Sequence, residues 1–223
     1  MQITLGRGEP EAGPWRKITL SELAIEVLGA ALDTVPTRLV LAVDGRSGSG
    51  KSTLAHHLQQ ALPASTVVST DDIAWHHSMF DWADLAETGV LRPFRAGEAV
   101  HFRPPAWDTR DRPGHIDVQE GTTILILEGV GASRRQLVPL LDRAIWVQSD
   151  YQLATQRCLA REVASGVDRD EAQAFWDHWM AEEVPFLADD KPWERASAVV
   201  AGNIERPADG QLIKVAPPPS RSA

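Results

Sequence analysis

Apolar residues fall along this chain in two periods. From Arg38 to Asp44 the run Leu39-Val40-Leu41-Ala42-Val43 is short and continuous, the pattern of a strand buried on both faces. Thr66 to Ser69, Thr122 to Leu127, Ala144 to Val147 and Ala198 to Ala201 repeat it. Between these runs the spacing changes to that of helices. Ser52 to Leu62, Tyr151 to Ala164 and Glu171 to Leu187 carry apolar residues every third or fourth position. Thr19 to Leu32 does the same with Leu20, Leu23, Ile25, Val27, Leu28 and Leu32, and Thr19 or Ser21 can cap it. Five short apolar strands separated by helices predict a parallel sheet in a three-layer α/β fold.

The rest of the chain is less regular. Residues 1–36 read as an extended arm followed by a helix, 37–203 as the main domain, and 204–223, with Pro217-Pro218-Pro219 near its end, as a tail expected to be disordered. Within the main domain the stretch 74–115 is poor in strand signal, rich in Trp, His and Phe, and broken by Pro93, Pro104, Pro105 and Pro113. A helix around Trp82 to Glu87 and then loops or a small hairpin are expected there, as a cover for a substrate.

Composition narrows the function classes. With 223 residues and 43% hydrophobic content there is material for one sizeable core. The formal net charge of −9 supplies no basic stripe for polymeric nucleic acid and no polybasic signal for anionic lipid. One cysteine, Cys158, cannot form an intrachain disulfide and reads as a packing residue. The first residues, MQITLGRGEP, lack an apolar signal core, and no apolar run approaches the ~20 residues that span a bilayer. A cytoplasmic protein is expected, without nucleic acid or membrane as partner.

The chemistry centres on Gly45-Arg46-Ser47-Gly48-Ser49-Gly50-Lys51-Ser52, which fits the phosphate-binding pattern G-x-x-x-x-G-K-[ST] between a strand and a helix. Triphosphate oxygens need many donors at short range, and the loop N–H groups, with the positive end of the following helix, provide them. Gly45, Ser47, Gly48, Ser49, Gly50, Lys51, Ser52 and Thr53 are the expected nucleotide contacts. Lys51 reaches the β- and γ-phosphates, and the Ser52 hydroxyl holds Mg²⁺. The fold expected is therefore the three-layer P-loop NTPase fold.

Acids follow at the strand ends, where open α/β sheets bind ligands. Thr70-Asp71-Asp72 closes the second strand, either as catalytic groups or as a helix-capping pair. Glu128 closes the strongest strand, either to hold magnesium or to cap the next helix. Arg157 and Arg161 lie four apart on one helix face, as cations for a transferring phosphoryl group or as ordinary solvated charges. The pair His76-His77 beside Asp71 and Asp72 lacks the spacing of a zinc site. A guanine-reading Asn-Lys-x-Asp element is absent, since the one asparagine, Asn203, is not followed by lysine. A kinase needs a phosphate loop, a metal, a base and mobile arginines, and each has a candidate.

Asp44-Gly-Arg-Ser-Gly-Ser-Gly-Lys-Ser-Thr53, the block Val67-Val-Ser-Thr-Asp-Asp72 and Ile126-Leu-Glu-Gly-Val130 together resemble the uridine kinase and phosphoribulokinase group of P-loop kinases. The resemblance covers about residues 38 to 203. It implies that Asp71, with Asp72 as the other choice, is the base toward the acceptor hydroxyl and also stands near the metal. It further implies Glu128 on the metal and lid helices over 151–187 whose Arg157, Arg161 and, more loosely, Arg169 steady the phosphoryl group. Asp81, in Phe80-Asp81-Trp82, matches the position that contacts a nucleoside sugar. Trp107-Asp108 stands where that group has Tyr-Asp against the base, and Arg112 lies where a histidine is expected. Trp82 and Trp107 can equally be core. The expected activity is ATP- and Mg²⁺-dependent phosphorylation of a small-molecule hydroxyl. A nucleoside is the first acceptor, with another metabolite kinase or a nucleotide-dependent regulatory ATPase as alternatives and oligomerisation left open.

Overall fold

The computed structural model of the chain describes residues 3–32, 38–202 and 212–218. In chain order the elements are β1 (Arg16–Ile18), α1 (Leu20–Leu32), β2 (Leu39–Gly45), α2 (Lys51–Ala61), β3 (Ser65–Ser69) and α3 (Thr70–Ala74). The insert follows, with α4 (Ala83–Ala86) and α5 (Arg92–Arg95) joined by a π-helical turn at Glu87–Leu91, then β4 (Val100–Phe102), α6 (Pro105–Thr109) and β5 (Ile116–Val118). The chain returns through β6 (Ile124–Glu128), β7 (Arg143–Gln148), α7 (Tyr151–Ala164), α8 (Arg169–Asp190), β8 (Ala198–Ala201) and β9 (Ile213–Ala216).

The main sheet has seven strands in the order β1-β9-β8-β7-β2-β6-β3. Strands β3, β6, β2, β7 and β8 run parallel, as their continuous apolar runs predict. Two further strands, β9 antiparallel to β8 and β1 antiparallel to β9, extend one edge and correct the expectation of five. The same strand β9 corrects the expectation that 204–223 is a disordered tail: Ile213 and Val215 are buried against the sheet. Residues 203–211 and 219–223 lie outside the described residues. Both added strands are only three or four residues long, too short for a period to register. Lys17 stands opposite Lys214 across them, a like-charge pair tolerable only at a wet edge.

Strand alternation sends side chains to two apolar layers. Leu39, Leu41, Val43, Ile124, Ile126, Ile145 and Val147 face α1 and α2, meeting Leu23, Leu28, Leu54 and Leu58. Val40, Ala42, Leu125 and Leu127 face the insert, meeting Trp82, Phe94 and Trp107. A third cluster gathers Trp146, Val199, Leu187 and Trp193 beside α8. The insert is fastened by Arg38, a buried guanidinium that donates to the carbonyls of Phe94, Gly97, Glu98 and Glu120. In-register pairing sets Val43 and Ser69 beside Glu128, so the chain leaves β2, β3 and β6 at one level. All the chemistry-bearing loops open there.

Candidate active site

The phosphate loop turns tightly between β2 and α2. Gly48 has φ 75° and Gly50 φ 100°, conformations that side chains rarely adopt. At Gly48 a Cβ would stand 2.4 Å from the Ala154 carbonyl oxygen, so α7 packs directly on the loop. No side chain caps the first turn of α2, whose N-cap is Gly50, and its leading N–H groups remain available to an anion. Lys51 is buried, and its ammonium donates to the Arg46 carbonyl at 3.1 Å, across the loop.

Ser52 and Glu128 meet next to it. The serine hydroxyl donates to Glu128 Oε1 at 3.0 Å. Burial pushes the Glu128 carboxyl above its ordinary range; Lys51 pulls it back, and the neighbouring Asp71 adds to the rise. Asp71 lies in the first turn of α3, where its N–H donates to the Ser69 hydroxyl at 3.2 Å, and the residue is exposed. A single cavity of about 750 Å³ joins these groups. Ser47, Gly48, Gly50, Lys51, Ser52, Thr53, Asp71, Glu128, Arg157 and Arg161 all line it. The Arg157 guanidinium also donates to the Gly202 carbonyl at 2.7 Å. Much of the remaining wall is aromatic, with Trp75, Phe175, Trp176 and Trp179 beside His76, His77 and Met79.

No protein-family model matches the chain. It is 26% identical over 174 residues to YggC of Escherichia coli (strain K12), itself uncharacterized, covering 66% of this chain and 72% of that one. It is 27% identical over 143 residues to uridine-cytidine kinase A of Dictyostelium discoideum, a stretch covering 56% of this chain and 28% of that kinase. The likeness is to uridine-kinase-type P-loop kinases. Among solved structures, the Silicibacter sp. TM1040 protein that carries the provisional name of a fructose transport system kinase has the same fold. Its TM-score is 0.60 at 22% identity, over 80% of this chain and 96% of that one.

Within the uridine-kinase-like layout, several residues expected at the site stand elsewhere. Gly45 and Ser49 are buried beneath the loop and do not line the cavity, and Arg169 is exposed in the first turn of α8. Asp72, Asp81, Trp107, Asp108 and Arg112 do not line it either. Trp107 is core: its indole N–H donates to the Asp72 carbonyl at 3.0 Å. Arg112 lies over the Trp107 ring at 3.8 Å and pairs with Asp72 at 2.5 Å, while Asp108 pairs with Arg103. Trp107 and Arg112 thereby join the insert to α3 through Asp72, and Asp108 is held within the insert by Arg103.

Other residues hold the site although none was named as a site candidate. Asp44 is fully buried and accepts from the N–H groups of Gly45, Gly131 and Ser133 and from the Ser133 hydroxyl, tying the turn after β6 to the end of β2. Its burial raises its pKa, and those donors oppose the rise. Glu9, in the N-terminal arm, pairs with Arg46 of the loop at 2.9 Å, both side chains buried, and accepts from Trp146 and Gln148. Glu183 on α8 accepts from the Ser47 N–H and hydroxyl. One sequence signal was available for it. Trp176, Trp179, Glu183 and Leu187 form a single helical stripe, and an acid on an apolar stripe requires a partner.

Proposed function

We propose that the chain is an ATP- and Mg²⁺-dependent kinase that transfers the γ-phosphoryl group to a hydroxyl of a small molecule, with a nucleoside as the first candidate. The observation that carries this reading is the joining of Lys51, Ser52, Glu128, Asp71, Arg157 and Arg161 around one cavity at the carboxyl end of the sheet. The donor set fits magnesium. A hydroxyl and a buried carboxylate offer hard oxygen ligands, and the described residues contain no cluster of three acids, histidines or cysteines that would complete a protein cage. Magnesium is the ion that accepts such a partial set and fills the rest from phosphate and water.

Each residue then has a task. The loop amides and the α2 N-terminus bind the polyphosphate, and Lys51 neutralises its outer oxygens. When bound, Mg²⁺ would supply charge neutralisation to the phosphates. Ser52 and Glu128 would hold it. Asp71 orients the acceptor hydroxyl and takes its proton. Arg157 and Arg161 screen the equatorial oxygens as charge builds, and α7 and α8 keep bulk water out.

A second acceptor class is favoured by one observation. The positions that carried the nucleoside resemblance, Asp81, Trp107, Asp108 and Arg112, lie off the cavity, whose outer wall is built by Trp75, Phe175, Trp176 and Trp179. Aromatic walls accept the apolar face of a sugar or another polyol as readily as a base. ATP consumption measured against panels of nucleosides, sugars and polyols, with Lys51→Ala as control, separates the readings. Acceptor-dependent turnover with phosphorylated product supports a kinase and names its substrate. Consumption independent of every acceptor would replace it with a regulatory ATPase.

A further inference from the structure

The carboxylate of Glu183 occupies an unusual place. Its residue is 1% exposed. It accepts from the Ser47 N–H at 3.2 Å, from the Ser47 hydroxyl at 2.6 Å and from the Trp179 indole N–H at 2.6 Å. Those are its only partners among the described residues, and none is a lysine or arginine. A buried carboxylate without a cation is costly unless its hydrogen bonds compensate. Here they are drawn from a loop whose sequence is built to bind anions.

Ser47 lies at the edge of that loop and lines the cavity together with Lys51 and Asp71. Its N–H and hydroxyl are donors of the kind a terminal phosphate uses. They cannot serve a carboxylate and a phosphate at once, and the two anions repel across a short, partly dry gap. Glu183 also sits on the helix stripe that carries Trp176 and Trp179, both part of the cavity wall. A change at Ser47 is thereby linked mechanically to the aromatic wall through one turn of α8.

We propose that Glu183 is a resident anion of the phosphate loop, holding the Ser47 donors until the terminal phosphate of a nucleoside triphosphate takes them. Its release from Ser47 and Trp179 then resets the Trp176–Trp179 wall, so that occupancy of the loop is communicated to the acceptor side. This rests on the reading of the loop as a nucleotide site. It adds a regulatory contact that discriminates triphosphate from diphosphate: only the triphosphate needs the outermost donors, so only it must displace the carboxylate.

The test is a pair of calorimetric titrations, MgATP and MgADP, on the intact chain and on Glu183→Gln. The amide keeps a carbonyl for Ser47 and removes the charge. Glu183→Gln is expected to bind MgATP on the order of tenfold tighter with MgADP nearly unchanged. Equal weakening of both nucleotides would make Glu183 a plain structural support and overturn the proposal, as would an unchanged ATP to ADP ratio. A second readout does not depend on how that variant folds. In the unmodified chain MgATP should shift tryptophan emission more than MgADP, and the difference should vanish in Trp179→Phe. Equal shifts with both nucleotides overturn the proposal. Absence of any nucleotide binding by the unmodified chain is a different failure, because it removes the nucleotide reading itself.

Discussion

The two ends of the cavity are built on opposite principles. At the nucleotide end the binding groups are backbone amides of one short loop, and their requirements are local: glycines where φ is positive, a lysine, a serine, a strand before and a helix after. At the proposed acceptor end the lining comes from α3, the turn after it and α8, nearly a hundred residues apart. The first end can be spelled in eight consecutive letters. The second exists only once the chain has folded, and its aromatic residues look alike in sequence whether they face the cavity or the core.

Substitutions at the two ends should separate accordingly. The largest effect is expected at Lys51→Ala, with kcat/KM for transfer falling on the order of 10³-fold or more. Steady-state kinetics check this, and a variant retaining a tenth of the activity would mean that the loop is not where the phosphoryl group is held. Asp71→Asn should lower kcat by roughly 10²- to 10³-fold while the Kd for MgATP stays within about twofold. Parallel loss of nucleotide affinity would move Asp71 from the acceptor end to the nucleotide end.

Two tryptophans sharpen the contrast further. Trp75→Ala, on the cavity wall, should raise the acceptor KM about tenfold with little change in the KM for ATP. Trp107→Ala should instead cost about 3 to 5 kcal/mol of stability, seen in denaturant unfolding, because it empties a core position of the insert. If Trp107→Ala left stability intact and raised the acceptor KM, the assignment of the two residues would be reversed.

The smallest expected effect is in the pH profile. Burial raises the Glu128 carboxyl above its ordinary range, so on acidification it takes up a proton earlier than a solvated glutamate would. Magnesium binds the ionised form, and the magnesium concentration for half-maximal activity should therefore climb at pH values still above the usual glutamate range. Stability runs the other way. A raised folded-state pKa contributes stability that is complete below the unfolded value and is lost as pH rises through the folded one. Glu128→Gln should accordingly melt higher than the parent at neutral pH while needing more magnesium for half-maximal activity. A lower melting temperature would mean that the ionised carboxylate is compensated better than its surroundings suggest.

Particular residues explain what could be read from the sequence. The parallel strands were legible because strands covered on both faces must be apolar throughout, as Leu39 to Val43 are. Strands β1 and β9 were not, since they are only three and four residues long and Lys17 and Lys214 interrupt them. The phosphate-loop letters Lys51 and Ser52 were legible from spacing, and Glu128 from its place at the end of the strongest strand, and all three line the cavity. Arg112 was named only because it lies where the resembled group has a histidine, and a position in a motif says nothing of its contacts with Trp107 and Asp72 off the cavity. Glu183 was hidden for a related reason: no motif records a carboxylate that answers to a backbone N–H more than a hundred positions away.

The arm that precedes β1 sets a practical limit on how this protein can be shortened. A version trimmed to begin at Leu39 would keep every motif letter, yet it would strip the Arg46 guanidinium of the Glu9 carboxylate that neutralises it inside the protein. Leaving such a charge stranded costs about 3 to 5 kcal/mol, comparable to the whole stability margin of many domains. The smallest independently folding unit is therefore expected to include both the leading arm and the returning strand Ile213–Ala216, and expression trials should retain them.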